Sequence, residues 1–333
     1  MLRSRDEVVA IEHHAELGTA RPRLQDYVRI ARPDHWIKNV FMLPGAAVAF
    51  ALSDAPTLLT GLHVLAALAS LCLTASANYT INEYLDARYD RFHPLKRSRP
   101  GAAGRLEFRL VAVQYLVLAT AGLLIAQALG SAFLLTAQAL LLMGLAYNVP
   151  PMRTKDRVYL DVLSESINNP LRFLMGWFVV MPGALPPASI ILAYWMGGAF
   201  LMAMKRYSEY RRIGDPHTAS LYRRSFAYYT EEKLLLSSFF YALLAAFLLG
   251  VFLLKYRIEY LLSLPAFALL FTWYLAIALR ADSAAQAPEK LHQERRFMLF
   301  VGALAVLVAV LTVVDIPALH VLMQPFLIRW PAQ

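Results

Sequence analysis

Long apolar runs separated by short polar breaks organise this chain. Runs of membrane-spanning length recur at roughly 37–53, 62–83, 109–128, 131–148, 162–181, 188–204, 234–254, 260–280 and 297–317. They do not alternate with period two as barrel strands would, so they predict helices. Turn residues mark the short breaks: Ser53-Asp54-Ala55-Pro56, Gly130-Ser131, and Pro182-Gly183 with Pro186-Pro187. The pattern predicts an all-α polytopic membrane protein with nine spans. A membrane domain over 36–320 would follow an N-terminal segment, 1–35, and precede a tail, 321–333. The fifth run is the least apolar. It carries Asp161, Glu165, Asn168, Asn169, Pro170 and Arg172, so its first half is expected to turn away from lipid.

Composition agrees with that pattern. Of 333 residues, 59% are hydrophobic and only 17% are charged, against about a quarter charged in soluble domains. The single cysteine, Cys72, excludes an internal disulfide. The first 35 residues are charged and lack an apolar core, which predicts no cleavable signal peptide. The net charge of +9 would suit nucleic acid, but its distribution argues for a membrane protein instead. Only Lys255, Arg257 and Arg329 fall on one side of the nine spans, and Arg172 lies within one. The remaining Lys and Arg gather in the N-terminal segment and in 84–109, 149–160, 205–233 and 280–296. The positive-inside rule then places the N-terminus and these loops in the cytoplasm and the C-terminus outside.

The unusual polar residues cluster on that same cytoplasmic side. Asn78, Asn82, Asp86 and Asp90 are each four apart, a spacing that stacks them on one helical face. Two carboxylates and two amides are hard oxygen ligands suited to Mg²⁺ with a bound phosphate. A basic run with Lys96, Arg97 and Arg99 comes directly after them. Carboxylates beside cations are able to hold a metal-bridged diphosphate, the metal on the inner oxygens and Arg or Lys on the outer ones. A second cluster runs from Tyr147 through Arg153 and Lys155 to Asp161 and Glu165, again a carboxylate pair on one helix face. Asn168 and Arg172 continue that face, and an intramembrane arginine needs a partner. Lys205 and Arg206 stand at the end of the sixth run. Lys38 and Asn39 stand at the start of the first. Each cluster also has a plainer reading as topogenic charge or as a helix at the membrane surface. Two acidic faces among phosphate-type cations point to displacement of a diphosphate from a carbon, with capture by a membrane-borne acceptor. No Ser-His-Asp set, zinc spacing or phosphate-binding glycine loop is present in the sequence.

These residues resemble the UbiA superfamily of intramembrane prenyltransferases over nearly the whole chain. Asn82, Asp86 and Asp90 are similar to its first motif, N-D-x-x-D-x-x-x-D, with Glu83 where an aspartate is usual. Asp161 and Glu165 resemble its second, D-x-x-x-D. Tyr147-Asn148-Val149-Pro150-Pro151 looks like its Tyr-Ser-x-Pro-Pro loop. The resemblance implies nine helices around a central cavity open to the cytoplasm, in a bacterial inner membrane. It also implies Mg²⁺ held by Asn82, Asp86, Asp90, Asp161 and Glu165, with catalysis by Asp86, Asp90 and Asp161. An isoprenoid lipid and a diphosphate-bearing small molecule would be the substrates.

Within the superfamily, Arg32-Pro33-Asp34-His35-Trp36-Ile37-Lys38-Asn39 is similar to the R-P-x-x-W-x-K-N opening of decaprenyl-phosphate phosphoribosyltransferases. The runs His93–Pro100 and Lys205–Glu209 resemble that branch too. Its members transfer 5-phosphoribose from phosphoribosyl pyrophosphate to a polyprenyl phosphate. Such a substrate pair carries a diphosphate and two further phosphates. Lys38, Lys96, Arg97, Arg99, Arg153, Lys155, Arg172, Lys205 and Arg206 supply the cations, and Asn39, Asn78, Tyr147 and Asn168 complete the substrate-binding set. The Pro-Pro loop and Glu165 look more like the aromatic prenyltransferases, in which the lipid brings the diphosphate. A transporter or a non-enzymatic lipid-phosphate binder is the rival from another class, but an internal repeat with polar groups at the midplane is not visible here.

Overall fold

The computed structural model describes residues 23–53, 58–280, 283, 285 and 288–323. Most of the N-terminal segment, residues 54–56 of the first expected turn, and Arg329 with the rest of the tail beyond residue 323 lie outside the described residues. The described residues are helical, with no strand among them. The α-helices are α1 (Leu24–Ala31), α2 (Leu43–Ala51), α3 (Leu58–Asp90), α4 (Phe108–Leu129), α5 (Ser131–Asn148), α6 (Leu160–Ser166) and α7 (Asn168–Val180). After them come α8 (Ala188–Ile213), α9 (Pro216–Tyr222), α10 (Glu231–Tyr256), α11 (Leu264–Ala278), α12 (Arg295–Val313) and α13 (Pro317–Leu322).

Seven helical stretches among the described residues are long and apolar enough to cross a membrane: Thr60–Asp90, Phe108–Leu129, Ser131–Asn148, Ala188–Ile213, Glu231–Tyr256, Ile258–Ala278 and Arg295–Val313. They match seven of the nine expected spans. The other two are broken. Over 37–53, a 3₁₀ turn, Pro33–Met42, gives way to the nine-residue α2. Over 162–181, the chain divides at Ile167 into α6 and α7. Proline explains both breaks: its ring removes a backbone donor and clashes with the carbonyl four residues back. Pro44 therefore opposes a continuous helix through Val40, and Pro170 opposes one through Ser166.

The chain forms two compact units. The first comprises the described residues within Met1–Val40, Thr57–Glu165 and Ile213–Tyr229. Its frame is α3 packed on α4 and α5. Ser70 donates from its hydroxyl to the Gly122 carbonyl at 2.8 Å, and the Asn78 amide donates to the Leu140 carbonyl at 2.9 Å. Both bonds cross between helices, where small residues let backbones approach. The opening segment lies along one face of α3. Arg32 donates to Glu83, Trp36 Nε1 donates to the Ser76 hydroxyl at 2.9 Å, and the Asn39 amide reaches Cys72 Sγ at 3.2 Å.

The second unit comprises the described residues within Phe41–Pro56, Ser166–Arg212 and Thr230–Gln333. Here the two short helices, α2 and α7, lie against each other with almost no side chain between them. A Cβ on Gly176 would fall 2.0 Å from the Met42 carbonyl oxygen, and one on Gly45 would fall 1.9 Å from that of Phe173. Any larger residue at either glycine would force the helices apart. Elsewhere, large apolar side chains such as Phe239, Phe247 and Val306 are exposed on the long helices, as expected of surfaces that meet lipid rather than water.

Candidate active site

The first motif sits in the last three turns of α3, inside the first unit. The helix continues to Asp90, so Asn82, Asp86 and Asp90 do fall one turn apart on it. Beyond Asp90 the chain forms a tightly turned basic loop. The His93 ring accepts from the backbone N–H groups of Leu95 (3.1 Å) and Lys96 (3.3 Å), and Arg91 Nε donates to the Ala102 carbonyl at 3.2 Å. Gly101 lets this loop lie on the helix, because a Cβ there would stand 2.6 Å from the Glu83 carbonyl oxygen. The fold thus returns Arg99 to the helix it has just left. Arg99 donates to Asp90 at 2.8 Å and lies 3.9 Å from Glu83. Burial pulls down the affinity of Arg99 for its proton, but the charges of Asp90 and Glu83 outweigh burial and raise it.

The loop after α5 supplies the opposing cations. Arg153 is held at φ +28°, a strained conformation for a non-glycine residue that costs about 1–3 kcal/mol. Its guanidinium is fixed on three sides, donating to the Asn148 carbonyl (2.9 Å), to Asp156 (3.0 Å) and to Asp86 (3.1 Å). It also lies over the Tyr89 ring, 4.9 Å from the centroid. Lys155 is 3% exposed. Its ammonium donates to Asp86, to Asn82 Oδ1 at 3.2 Å and to Asn148 Oδ1 at 2.7 Å. Burial, only partly offset by Asp86, brings Lys155 down to about 8. A ring of one carboxylate and two amide oxygens around a buried cation is a hard-oxygen environment. It contains no sulfur or imidazole, and such a donor set fits Mg²⁺. Glu83 Oε1, buried without a hydrogen-bond partner, adds a further oxygen beside it on α3.

The second acidic pair is satisfied differently. Asp161 is fully buried. Its Oδ1 accepts from the Tyr229 hydroxyl at 2.7 Å and its Oδ2 from the Ser225 hydroxyl at 3.2 Å. Glu165 accepts from the Tyr147 hydroxyl at 2.7 Å, and Arg223 donates to that hydroxyl at 3.2 Å. The residues of the two motifs therefore have different partners in this arrangement. Among the described residues, no three His, Cys, Asp or Glu side chains are grouped to hold a metal ion. Hydroxyl donors take up the second pair, and cations take up the first.

Other expected residues also fall into place. Lys96 donates to the Tyr222 hydroxyl, while Arg97 is exposed. Lys38 is half-buried with its ammonium 3.3 Å from His35 Nδ1. Asn78 is a correction: its amide is bound to α5, and a side chain at Gly144 would collide with it at 2.2 Å, so it joins helices rather than extending the ligand stripe. Asn168, Arg172, Lys205 and Arg206 belong to the second unit. Asn168 opens α7, and Arg172 donates to Asn169 Oδ1 at 3.4 Å. Lys205 is half-buried on α8. Arg206 has no exposed surface and donates to Glu209 at 3.0 Å. That pair is a buried intrahelical ion pair, where a phosphate ligand was expected.

Arg32, Glu83, Asn148, Tyr222, Arg223, Ser225 and Tyr229 lie within polar runs of the sequence but were not among the expected site residues. The last four lie in the run Tyr222–Tyr229, which reads as a membrane-surface helix. The available signal was its four hydroxyl-bearing residues beside two arginines, a composition suited to binding buried carboxylates.

A buried set of interleaved carboxylates and cations is thus carried at the end of a membrane-length helix. The UbiA prenyltransferase family model matches residues 40–303, and the chain belongs to that family. It is an integral membrane protein and a transferase of the UbiA type. Decaprenyl-phosphate phosphoribosyltransferase from Corynebacterium glutamicum is 30% identical over 240 residues, 70% of this chain and 68% of that protein. Its counterpart from Mycolicibacterium smegmatis is 28% identical over 65% of this chain and 66% of its own length. The matches thus span about two thirds of each relative. The fold resembles that of a UbiA homolog from Archaeoglobus fulgidus solved with DMAPP and Mg²⁺, with a TM-score of 0.65 and 24% identity. That likeness covers 87% of this chain and all of the other. The same homolog solved with GPP and Mg²⁺ gives a TM-score of 0.64 at 23% identity, over 85% and 99% of the two chains.

Proposed function

We propose that the chain transfers 5-phosphoribose from phosphoribosyl pyrophosphate to a polyprenyl phosphate, with release of diphosphate. The observation that carries this reading is the number of cations around two neighbouring carboxylates, Asp86 and Asp90. Arg153 and Lys155 both contact Asp86, and one helical turn on Arg99 contacts Asp90. Four phosphate groups across two substrates call for several cations, whereas an aromatic acceptor calls for fewer. The named relatives support the same branch. A divalent ion held by Asn82, Asp86 and Asp90 would neutralise the inner oxygens of the departing diphosphate. The outer oxygens fall to Lys155 and Arg153, which are fixed before substrate arrives and so need little reorganisation. Carboxylates left near the ribose carbon favour the positive charge that develops there. The lipid phosphate attacks already ionised, so no general base is required.

The alternative is an aromatic prenyltransferase using a polyprenyl diphosphate; the structures with GPP or DMAPP and Mg²⁺ favour it. Two assays separate the readings. Purified protein receives phosphoribosyl pyrophosphate with polyprenyl phosphate, or prenyl diphosphate with 4-hydroxybenzoate, each with Mg²⁺ and with chelator. Metal-dependent diphosphate release in the first mixture alone is expected; release in the second alone defeats the reading. Lys38→Ala should raise the requirement for polyprenyl phosphate ten- to a hundredfold, the effect of about 1.5–3 kcal/mol from one charge-assisted contact. The charge asymmetry of the loops further supports a cytoplasmic site. Accessibility tags after Ala102 and at Gln333 should report opposite sides of the membrane.

A further inference from the structure

Within the second unit, a cavity of about 350 Å³ opens where α10 and α12 end. Leu254, Lys255, Arg257, Glu259, Asp315 and His320 are among the residues that line it. The membrane-length stretches Glu231–Tyr256, Ile258–Ala278 and Arg295–Val313 all begin or end beside it. The charge asymmetry of the loops makes this the external side, where Lys and Arg are under-used. Yet Lys255 and Arg257, two of the three cations on that side of the sequence, line this one cavity. Arg257 has a structural task. Its Nε donates to the Leu311 carbonyl and its Nη2 to the Val314 carbonyl, each at 2.7 Å, which satisfies carbonyls at the end of α12. Glu259 is also committed. It is 1% exposed, accepts from the Ile316 N–H at 3.1 Å and lies 3.0 Å from His320 Nε2. Lys255 and Asp315 are different. Lys255 is exposed, stands 5.9 Å from the Tyr256 ring centroid and has no carboxylate partner among the described residues. Asp315 accepts from Arg257 on Oδ1 at 2.7 Å, and its side chain is 78% exposed.

We propose that this cavity binds the headgroup of a phospholipid that carries a primary ammonium beyond its phosphate, as phosphatidylethanolamine does. Cations for the phosphate and a carboxylate for the ammonium stand around one opening at the membrane edge. Lys255 has its charge to offer the phosphate. Arg257, whose Nη1 takes no part in the bonds above, adds a planar donor. Asp315 keeps acceptor capacity beyond its bond to Arg257, and an ammonium N–H fills it. A trimethylammonium headgroup has no N–H to donate, and a glycerol headgroup has no positive charge, so Asp315 discriminates against both. The surface beneath the cavity suits an acyl chain. Phe247, Val251 and Leu254 are exposed on α10 at positions i, i+4 and i+7, an apolar stripe that leads up to Lys255.

The two charges predict different patterns across lipid classes. The experiment uses the full-length protein, stripped of lipid in detergent. It is titrated with phosphatidylethanolamine, phosphatidylcholine and phosphatidylglycerol of matched acyl chains, and bound lipids are counted by native mass spectrometry. The first phosphatidylethanolamine should bind roughly two- to fivefold more tightly than the first of either other lipid, the scale of one ion pair partly open to water. Lys255→Gln should weaken phosphatidylethanolamine and phosphatidylglycerol alike, by roughly the same factor. Asp315→Asn should weaken phosphatidylethanolamine to a similar extent but leave phosphatidylglycerol unchanged or tighter, because a negative charge near its phosphate is gone. A variant that only unsettled the segment Pro317–Leu322 would lower both lipids together. If Asp315→Asn does not fold, Lys255→Gln carries the test, since the Lys255 ammonium holds no carboxylate of the described chain, and Lys255→Arg should restore binding. Equal affinity for the three lipids, unchanged phosphatidylethanolamine binding in Lys255→Gln, or equal weakening of phosphatidylethanolamine and phosphatidylglycerol in Asp315→Asn overturns the proposal. Lipid binding is read without turnover, so the result stands apart from whether phosphoribosyl pyrophosphate proves to be the donor.

Discussion

The two acidic pairs look alike as sequence and differ as structure. Asp86 and Asp90 face Lys155, Arg153 and Arg99, whereas Asp161 and Glu165 face the hydroxyls of Tyr229, Ser225 and Tyr147. A carboxylate paired with cations is able to share its oxygens with a metal ion when substrate arrives, because those cations then turn to the substrate phosphates. The second pair is held mainly through hydroxyls, with the Arg223 guanidinium 3.9 Å from Asp161 Oδ2. The same four-residue spacing therefore stands in two environments, one dominated by cations and the other by hydroxyls.

The largest test of this contrast is Asp86→Asn, which should lower diphosphate release by about a thousandfold, as loss of a charged transition-state contact does. It also leaves Lys155 buried without its counter-charge, while Arg153 keeps Asp156, a loss of about 3 kcal/mol. That figure is at the low end of the range because the Asp86 side chain keeps 18% exposure. Adding Lys155→Met should recover thermal stability and not turnover. Recovery of both would mean that Asp86 serves only to neutralise Lys155. A smaller effect is expected of Glu165→Gln, since the new amide oxygen still accepts from Tyr147. Turnover should fall less than about tenfold, the scale of one neutral hydrogen bond, and a thousandfold loss would erase the distinction between the pairs. Arg97→Ala should be the mildest. Its exposed side chain sits beside Lys96 and Arg99 without joining either acidic pair, so activity should stay within about threefold and stability within about 0.5 kcal/mol.

The long helices were legible because a membrane span needs only length and apolarity, and seven of the expected runs have both. The two that broke, around residues 42 and 167, carry Pro44 and Pro170. Hydropathy averages over a window do not register a single missing backbone donor. The stripe Asn82, Asp86 and Asp90 was legible because helix geometry fixes it locally. Asn78 has the same spacing, yet α5 claims it through Leu140, a contact that no local pattern encodes. Arg206 shows the converse: a basic residue at a membrane edge reads as a phosphate ligand until its own helix supplies Glu209. The partners of Asp161 were not legible because Ser225 and Tyr229 lie more than sixty positions later in the chain.

The crossing of α2 and α7 sets an order of events during synthesis. The nine residues of α2 rise only about 14 Å as a helix, less than half of the hydrocarbon thickness. Its stable seat is the surface of α7, against which Gly45 and Gly176 allow contact at the backbone. That partner begins at Asn168, more than a hundred residues after α2 ends. At about 5–20 residues per second, α2 must wait on the order of ten seconds beside the ribosome, half-inserted or shielded, before its neighbour exists. A bulky residue at Gly176 should therefore show first as degradation of newly made chains in pulse-chase labelling, before any defect in the mature protein is measured.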